Sequence, residues 1–167
     1  KVNPNHPNLL SERCGGHYLS GQFEQAIADC SKSIEINAQP IEPYTVRGQA
    51  YFGQQNYESA EKDFTHVIEY NETNGKQQTA LVYGARAVSR AELNDNAGAQ
   101  ADLTAAIALE PNEPDYYKLR GMLRFIAEDT TAAGEDLRKA EELYKAQGEE
   151  DEELNTVIGL MEQLGVL

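Results

Sequence analysis

The chain has 167 residues, of which 40% are hydrophobic and 25% charged, as is typical of a globular protein of one or two domains. Its formal net charge of -14, with 28 acidic and 14 basic side chains and no basic cluster, argues against a nucleic-acid partner. No apolar run approaches the roughly 18 residues of a spanning helix, so we predict no direct membrane span. The chain begins without Met and is interpreted as a processed protein or a fragment; the cytoplasm is favoured, but the compartment stays open.

A 34-residue pattern recurs four times along the chain. Alanines lie in matching local contexts, 34, 39 and 34 residues apart, at Ala26, Ala60, Ala99 and Ala133. An Arg precedes an Asp by 16 residues in every copy, in the pairs Arg13 and Asp29, Arg47 and Asp63, Arg86 and Asp102, and Arg120 and Asp136. The copies therefore cover residues 7–40, 41–74, 80–113 and 114–147, and residues 75–79 are an insertion.

The predicted elements follow in chain order. Residues 1–6 resemble the junction at 109–114 and are predicted to be the tail of a possible preceding copy. Each copy then forms two amphipathic helices joined by a polar turn, at Gly21-Gln22, Gln55-Asn56, Asn94-Asp95 and Glu128-Asp129. Three turn residues are expected to cap the second helices: Asn56, Asp95 and Asp129. Residues 148–167 combine an acidic run with apolar residues at helical spacing, which predicts a C-terminal capping helix over the last seam.

These residues carry a resemblance to a known family. The second copy has the pattern Tyr44, Arg47-Gly48, Ala50-Tyr51, Asn56-Tyr57, Ala60 and Phe64, and residues 106–111 end the third copy with Ala-Ile-Ala-Leu-Glu-Pro. On them the chain resembles the tetratricopeptide repeat family over about residues 2–147. The resemblance implies an all-α fold, an α-solenoid or right-handed superhelix of four helix hairpins plus a C-terminal capping helix. It also implies a concave face, lined mostly by the first helix of each copy, that binds peptides.

The four Arg–Asp pairs are the most regular charged feature. A catalytic site is normally singular, so their presence in every copy favours structural ion pairs over chemistry. We expect each Arg on a first helix to pair with the Asp on its own second helix or on a neighbouring one.

The two cysteines are predicted to lie on facing helices of the first copy. Without a Cys-x-x-Cys motif, Cys14 and Cys30 are interpreted as reduced thiols buried in the helix seam. The alternative is a thiol-based enzyme or redox sensor, with His17 as the nearby base. The sequence contains no metal-ligand spacing, no phosphate-binding loop and no nucleophile elbow, so we predict no metal, no cofactor and no enzyme activity.

Placed on the family's geometry, the groove positions combine aromatic, aliphatic and polar side chains: Tyr18, Thr45, Gln49, Phe52, Val88, Lys118, Met122 and Phe125. Chaperone-binding members of the family grip a C-terminal carboxylate with Lys, Asn and Arg, whereas the matching places here hold Ser11, Gly15, Val46, Leu81 and Ala85. The carboxylate clamp is therefore absent. The apolar members suit a helix or an extended segment, although side chains at this spacing are also typical of a core. The acidic excess favours a basic or apolar partner.

The sequence thus predicts a non-catalytic scaffold that binds a protein or peptide partner, as an assembly factor or adaptor. An alternative is a structural or self-association module of a larger parent protein, so both a monomer and a weak homodimer stay open. The insertion at 75–79 either lengthens a loop or helix, or shifts the third copy and opens a pocket.

Overall fold

The computed structural model describes residues 6–37, 41–77, 79–148 and 152–165. Over these ranges the chain forms nine α-helices and no β-strand. The helices are α1 (Pro7–Leu19), α2 (Phe23–Ile36), α3 (Glu42–Gly53), α4 (Tyr57–Thr73), α5 (Ala80–Glu92), α6 (Asn96–Leu109), α7 (Pro114–Ile126), α8 (Thr130–Gln147) and α9 (Glu152–Leu164). The predicted tail of a preceding copy lies outside the described residues, apart from His6.

The turn inside each hairpin has the same backbone geometry. Its first residue is in the left-handed region, with φ of 70° at Gly21, 60° at Gln55, 63° at Asn94 and 62° at Glu128. The side chain of the next residue accepts a hydrogen bond from a backbone N–H of the second helix in three turns, at Asn56, Asp95 and Asp129. These caps are the ones that the sequence predicts, and they fix where α4, α6 and α8 begin.

The helices fall into two compact units, the first containing α1 to α4 with residues 88–93. Its core includes Cys14, Ala26, Cys30 and Ala50, all fully buried. Close packing inside the second hairpin needs a glycine, because a Cβ at Gly48 would meet the Phe64 ring at 2.9 Å. The small and large members of this pair therefore set the distance between α3 and α4.

The second unit contains residues 79–87 and α6 to α9. Gly121 on α7 packs against Leu137 on α8 in the same way, with 3.0 Å from an added Cβ to Leu137 Cγ. The helix α9 lies within the segment predicted to be a cap and packs against α8. Their shared core consists of Leu137, Ala140, Tyr144, Leu154, Val157 and Met161. Polar residues on the other side of α9 are exposed, which suits a terminal element: Glu152, Asn155, Thr156, Glu162 and Gln163.

The insertion at 75–79 follows a helix that is longer than the second helices of the first and third hairpins. The helix α4 has 17 residues, whereas α2 and α6 have 14. It ends before Gly75, whose φ is 60°, and the Lys76 N–H donates to the Asn71 carbonyl at 2.8 Å. The insertion thus accompanies a second helix lengthened by about one turn.

Candidate functional site

Each predicted Arg–Asp pair joins the two helices of one hairpin. Arg47 donates from Nε and Nη2 to the two carboxylate oxygens of Asp63, both at 2.8 Å. Arg86 and Asp102 make the same paired contact at 2.8 and 2.6 Å, and Arg120 and Asp136 at 2.9 and 2.8 Å. Arg13 also donates two hydrogen bonds to Asp29, one of them at 2.6 Å. These fork-like contacts fix the geometry of both side chains more tightly than a point charge could.

The pairs differ in exposure. The side chain of Arg13 is 54% exposed, whereas those of Arg47, Arg86 and Arg120 are 18%, 10% and 12% exposed. The three less exposed guanidinium groups also lie over a tyrosine three residues earlier, at 5.5 to 5.8 Å from the ring centres of Tyr44, Tyr83 and Tyr117. The first copy has Leu10 in place of that tyrosine. Even in this exposed pair, the hydrogen bonds from Arg13 hold the pKa of Asp29 below its usual value.

Two of these arginines also contact the preceding hairpin. Arg47 Nη1 donates to the Ser31 hydroxyl on α2 at 3.0 Å, and Arg120 Nη1 donates to the Thr104 hydroxyl on α6 at 3.0 Å. One guanidinium group therefore joins three helices. This position in the repeat holds successive hairpins together as well as the two helices of its own hairpin.

The prediction of reduced thiols at Cys14 and Cys30 is wrong. The two sulfurs form a disulfide bond between α1 and α2, with the Cα atoms 5.4 Å apart, and the described residues contain no free cysteine. The placement on facing helices was right, but burial in an apolar seam does not distinguish a thiol pair from a disulfide. His17, the expected base, instead has Nδ1 at 2.6 Å from the Gln22 side-chain oxygen.

In the first unit, four predicted groove residues lie on α1 and α3 and are partly exposed: Tyr18, Thr45, Gln49 and Phe52. Tyr18 packs against Phe23, with ring centres 6.1 Å apart, and Phe52 meets Tyr57 edge-on at 5.6 Å. The rings are thus anchored by the second helix of their own hairpin while part of each surface stays open. Val88, on the part of α5 that belongs to this unit, is also partly exposed.

The first unit also contains a cavity of about 310 Å³. It is lined by Pro7, Asn8, Ser11, Glu12, Ser33 and Glu42. The Ser33 hydroxyl donates to the Pro7 carbonyl at 2.9 Å. In contrast, the Ser11 hydroxyl oxygen is shielded from solvent and has no hydrogen-bond partner among the described residues.

In the second unit, Lys118 is buried and already has partners. Its ammonium group bonds Asp115 at 2.7 Å and Glu153 on α9, and the Tyr144 hydroxyl donates to Asp115 at 2.5 Å. Burial lowers the pKa of Lys118, but the hydrogen bonds outweigh burial and raise it overall. Burial and the bond to Asp115 raise the pKa of Tyr144. This cluster, here called the cap latch, ties α9 to α7 and α8, so the Lys118 amine is not open to a partner.

The other two groove candidates of this unit, Met122 and Phe125, lie on α7 and are partly exposed. The cap latch is the feature that sequence reasoning missed. Its acidic member Glu153 was assigned to the helix N-terminus alone, and the 35-residue separation from Lys118 gave no periodic signal.

No group of His, Cys, Asp and Glu side chains in the described part of the chain is arranged to hold a metal ion. Among the described helices, none is long and apolar enough to cross a membrane.

Comparison with known proteins agrees with this architecture. Residues 41–74 match the sequence model of the tetratricopeptide repeat. The chain is 26% identical over 146 residues to RNA polymerase II-associated protein 3 of Xenopus tropicalis, which covers 87% of this chain and 21% of that protein. It thus spans about a fifth of that relative's length.

Solved structures show the same fold. A MamA RS-1 double mutant superposes with a TM-score of 0.79 at 17% identity, over 89% of this chain and 80% of that chain. The first tetratricopeptide domain of Spaghetti (RPAP3), bound to the HSP90 peptide SRMEEVD, superposes with a TM-score of 0.61 at 22% identity, over 78% of this chain and 97% of that chain.

The hairpins, their shared turn geometry and the recurring small and large packing pairs define an all-α repeat protein of the solenoid class. The chain has the tetratricopeptide repeat fold, and residues 41–74 match the sequence model of that repeat.

Proposed function

We propose that the chain is a non-catalytic scaffold that binds a peptide or helix of a partner protein on the first-helix face of its first unit. The observation that carries the proposal is the cavity lined by α1, α2 and α3, with the carboxylates of Glu12 and Glu42 in its wall. The family's expected groove positions, Tyr18 and Phe52, lie on α1 and α3. A role as an assembly factor or adaptor follows from such binding.

The lining of the cavity favours a cationic group. Two carboxylates, those of Glu12 and Glu42, line it and can each accept hydrogen bonds. An ammonium or guanidinium group supplies both the donor and the opposite charge. The chain's net charge of -14 also attracts such a partner from a distance.

The ligand also needs an apolar side chain. Phe52 lies ten residues after Glu42 on α3, which corresponds to about 15 Å along the helix. We therefore expect a segment that places a basic and an apolar side chain about this far apart. The peptide held by the RPAP3 domain, SRMEEVD, carries three acidic side chains near its end. The carboxylates lining this cavity disfavour such a peptide.

The binding surface that we propose contains fewer residues than the groove that the sequence predicts. Lys118 is engaged in the cap latch, so we leave it out of the proposed binding surface. Met122, Phe125 and Val88 stay predictions. The core of the proposal is the cavity with Tyr18, Gln49 and Phe52.

A peptide library displayed on phage tests the proposal, followed by fluorescence anisotropy with an enriched peptide. Phe52→Glu should weaken binding about tenfold or more, because it places a charge in the apolar part of the surface. The matched control is Ile36→Glu, at a side chain that is 50% exposed on α2 and does not line the cavity. It should leave binding unchanged.

One further variant tests the chemistry of the cavity. Glu42→Gln should weaken the binding of an enriched basic peptide, since one attractive charge is lost. For the same reason, the Kd should change less with salt concentration. Equal losses with Phe52→Glu and Ile36→Glu, in variants with unchanged helical circular dichroism, would refute the surface assignment. Enrichment of acidic peptides alone would refute the cationic preference.

A further inference from the structure

The disulfide bond between Cys14 and Cys30 lies beside the cavity of the first unit. Four residues of α1 follow one another at helical spacing and share one side of the helix: Pro7, Ser11, Cys14 and Tyr18. Pro7 and Ser11 line the cavity, and Tyr18 packs against the core cluster that contains both cysteines. Along α1, the bond is therefore located between the cavity and the Tyr18 ring of the proposed binding surface.

The same bond reaches the other two helices that line the cavity. Cys30 precedes Ser33 on α2 by three residues, and Ser33 lines the cavity. On α3, Ala50 belongs to the cysteine cluster and Val46 packs against it. Glu42, which lines the cavity, lies about one helical turn before Val46. The distance between the two cysteines thus affects how α1, α2 and α3 meet around the cavity.

The second hairpin holds its helices together at the same place without a covalent bond. Cys14 and Cys30 correspond to Gly48 and Phe64, where the ring fills the space beside the glycine. Both cysteines are fully buried. Two thiols need more room than two bonded sulfurs, because unbonded atoms stay at van der Waals distance. In a close-packed core, breaking the bond therefore moves α1 relative to α2.

We propose that this bond is a redox switch for the binding surface: the oxidised chain binds its peptide, and reduction to two thiols weakens the binding. The inference rests on the function proposed above and adds its regulation. The reductant is a dithiol. One of its thiolates attacks a sulfur of the bond to form a mixed disulfide, and the other cysteine leaves as a thiolate and takes up a proton. The second thiol of the reductant then releases the first cysteine, so the chain gains two electrons and two protons and the dithiol becomes a disulfide.

Binding and reduction are coupled in both directions. Because both sulfurs are buried, a thiolate reaches them only when the first hairpin opens locally. A peptide that contacts α1 and α3 stabilises the closed hairpin. A peptide that binds the oxidised chain tenfold more tightly than the reduced chain must, at saturation, favour the disulfide tenfold. That factor lowers the reduction potential of the bond by about 30 mV.

The test compares the affinity of one peptide for the two oxidation states. The peptide is one enriched by phage display on the oxidised chain, and its anisotropy is measured in dithiothreitol and in oxidised dithiothreitol. We expect Kd to rise about tenfold or more in dithiothreitol and to recover on reoxidation. The matched control combines Cys14→Gly with Cys30→Phe, which gives the first hairpin the small and large pair of the second. Its Kd should be the same in both solutions.

A second measurement needs neither the peptide nor the control variant. Amide hydrogen exchange of the unmodified chain is followed by mass spectrometry in the same two solutions. Reduction should speed exchange of α1, α2 and α3 about tenfold or more and leave α7 and α8 unchanged.

The outcomes separate the switch from the proposed function. Absence of any peptide that binds the oxidised chain would refute the proposed function, and the switch with it. Equal Kd values of the unmodified chain in both solutions, or unchanged exchange of α1 to α3, would overturn the switch alone. So would an equal rise of Kd in the control variant, because the reductant would then act elsewhere. Unfolding of the whole chain on reduction would also overturn it, since the bond would then be purely structural.

Discussion

Removing one arginine from a buried ion pair should destabilise the protein far more than removing the equivalent arginine from the exposed pair. Arg47→Met takes two hydrogen bonds and the opposite charge away from Asp63, whose side chain is 7% exposed. It also removes the bond to Ser31 on the preceding hairpin. Stripping one partner from a buried pair costs about 3–5 kcal/mol.

That loss of stability corresponds to a lower melting temperature. For a chain of this size, each kcal/mol shifts Tm by about 2–4 °C, so we expect Arg47→Met to lower Tm by about 6–20 °C. The matched control is Arg13→Met, at a side chain that is 54% exposed, which should melt close to the unmodified protein. Arg120→Met should fall between them, because Arg124 also bonds Asp136 at 2.8 Å and remains.

The assay is thermal and urea unfolding followed by circular dichroism at one protein concentration. Equal melting of Arg47→Met and the unmodified protein would refute the claim that burial makes this pair structural. So would an Arg13→Met variant that loses as much stability as Arg47→Met, since exposure would then not govern the cost.

Three further predictions follow from the described contacts. Replacing Cys14 and Cys30 with alanine should lower stability by about 3 kcal/mol, because the bond closes a short loop of the unfolded chain; urea unfolding with and without reductant checks this. The free energy of unfolding should fall as pH rises above about 10. The raised pKa values of Lys118 and Tyr144 keep both groups protonated in the folded chain, whereas the unfolded chain loses those protons. Exchange of α9 amides between pH 8 and 11 tests it, and unchanged protection would count against the cap latch. Gln55→Gly should stabilise the protein by about 0.5–1 kcal/mol, since φ at Gln55 is 60° and glycine adopts this region without strain. A fall in the urea unfolding midpoint would show that the conformational entropy lost by glycine outweighs the relief of backbone strain.

Periodic features were the ones that the sequence could predict. The Arg–Asp offset of 16 residues recurs in every copy, and a contact inside one hairpin is short in sequence, so the pairs could be anticipated. The same holds for the turn residues Asn56, Asp95 and Asp129, because the capping role depends on local chemistry alone.

Features that occur once were not predictable in the same way. The cap latch depends on how α9 approaches α7, a tertiary contact with no repeat to reveal it. The exposure of Arg13 was also hidden, because its sequence context matches that of the other three arginines. The disulfide required knowing that the two Cα atoms come within 5.4 Å.

The disulfide of the first hairpin lies at the position where other hairpins have a packing contact between a small and a large side chain. Cys14 and Cys30 occupy the places of Gly48 and Phe64 in the second copy, which hold α3 and α4 together by close contact. The first hairpin lacks that small and large pair, and its Arg13 is the most exposed of the four arginines. Its non-covalent connection between helices is therefore the weakest, and the covalent bond replaces it. On this reasoning, reduction should loosen α1 and α2 first and leave α7 and α8 protected.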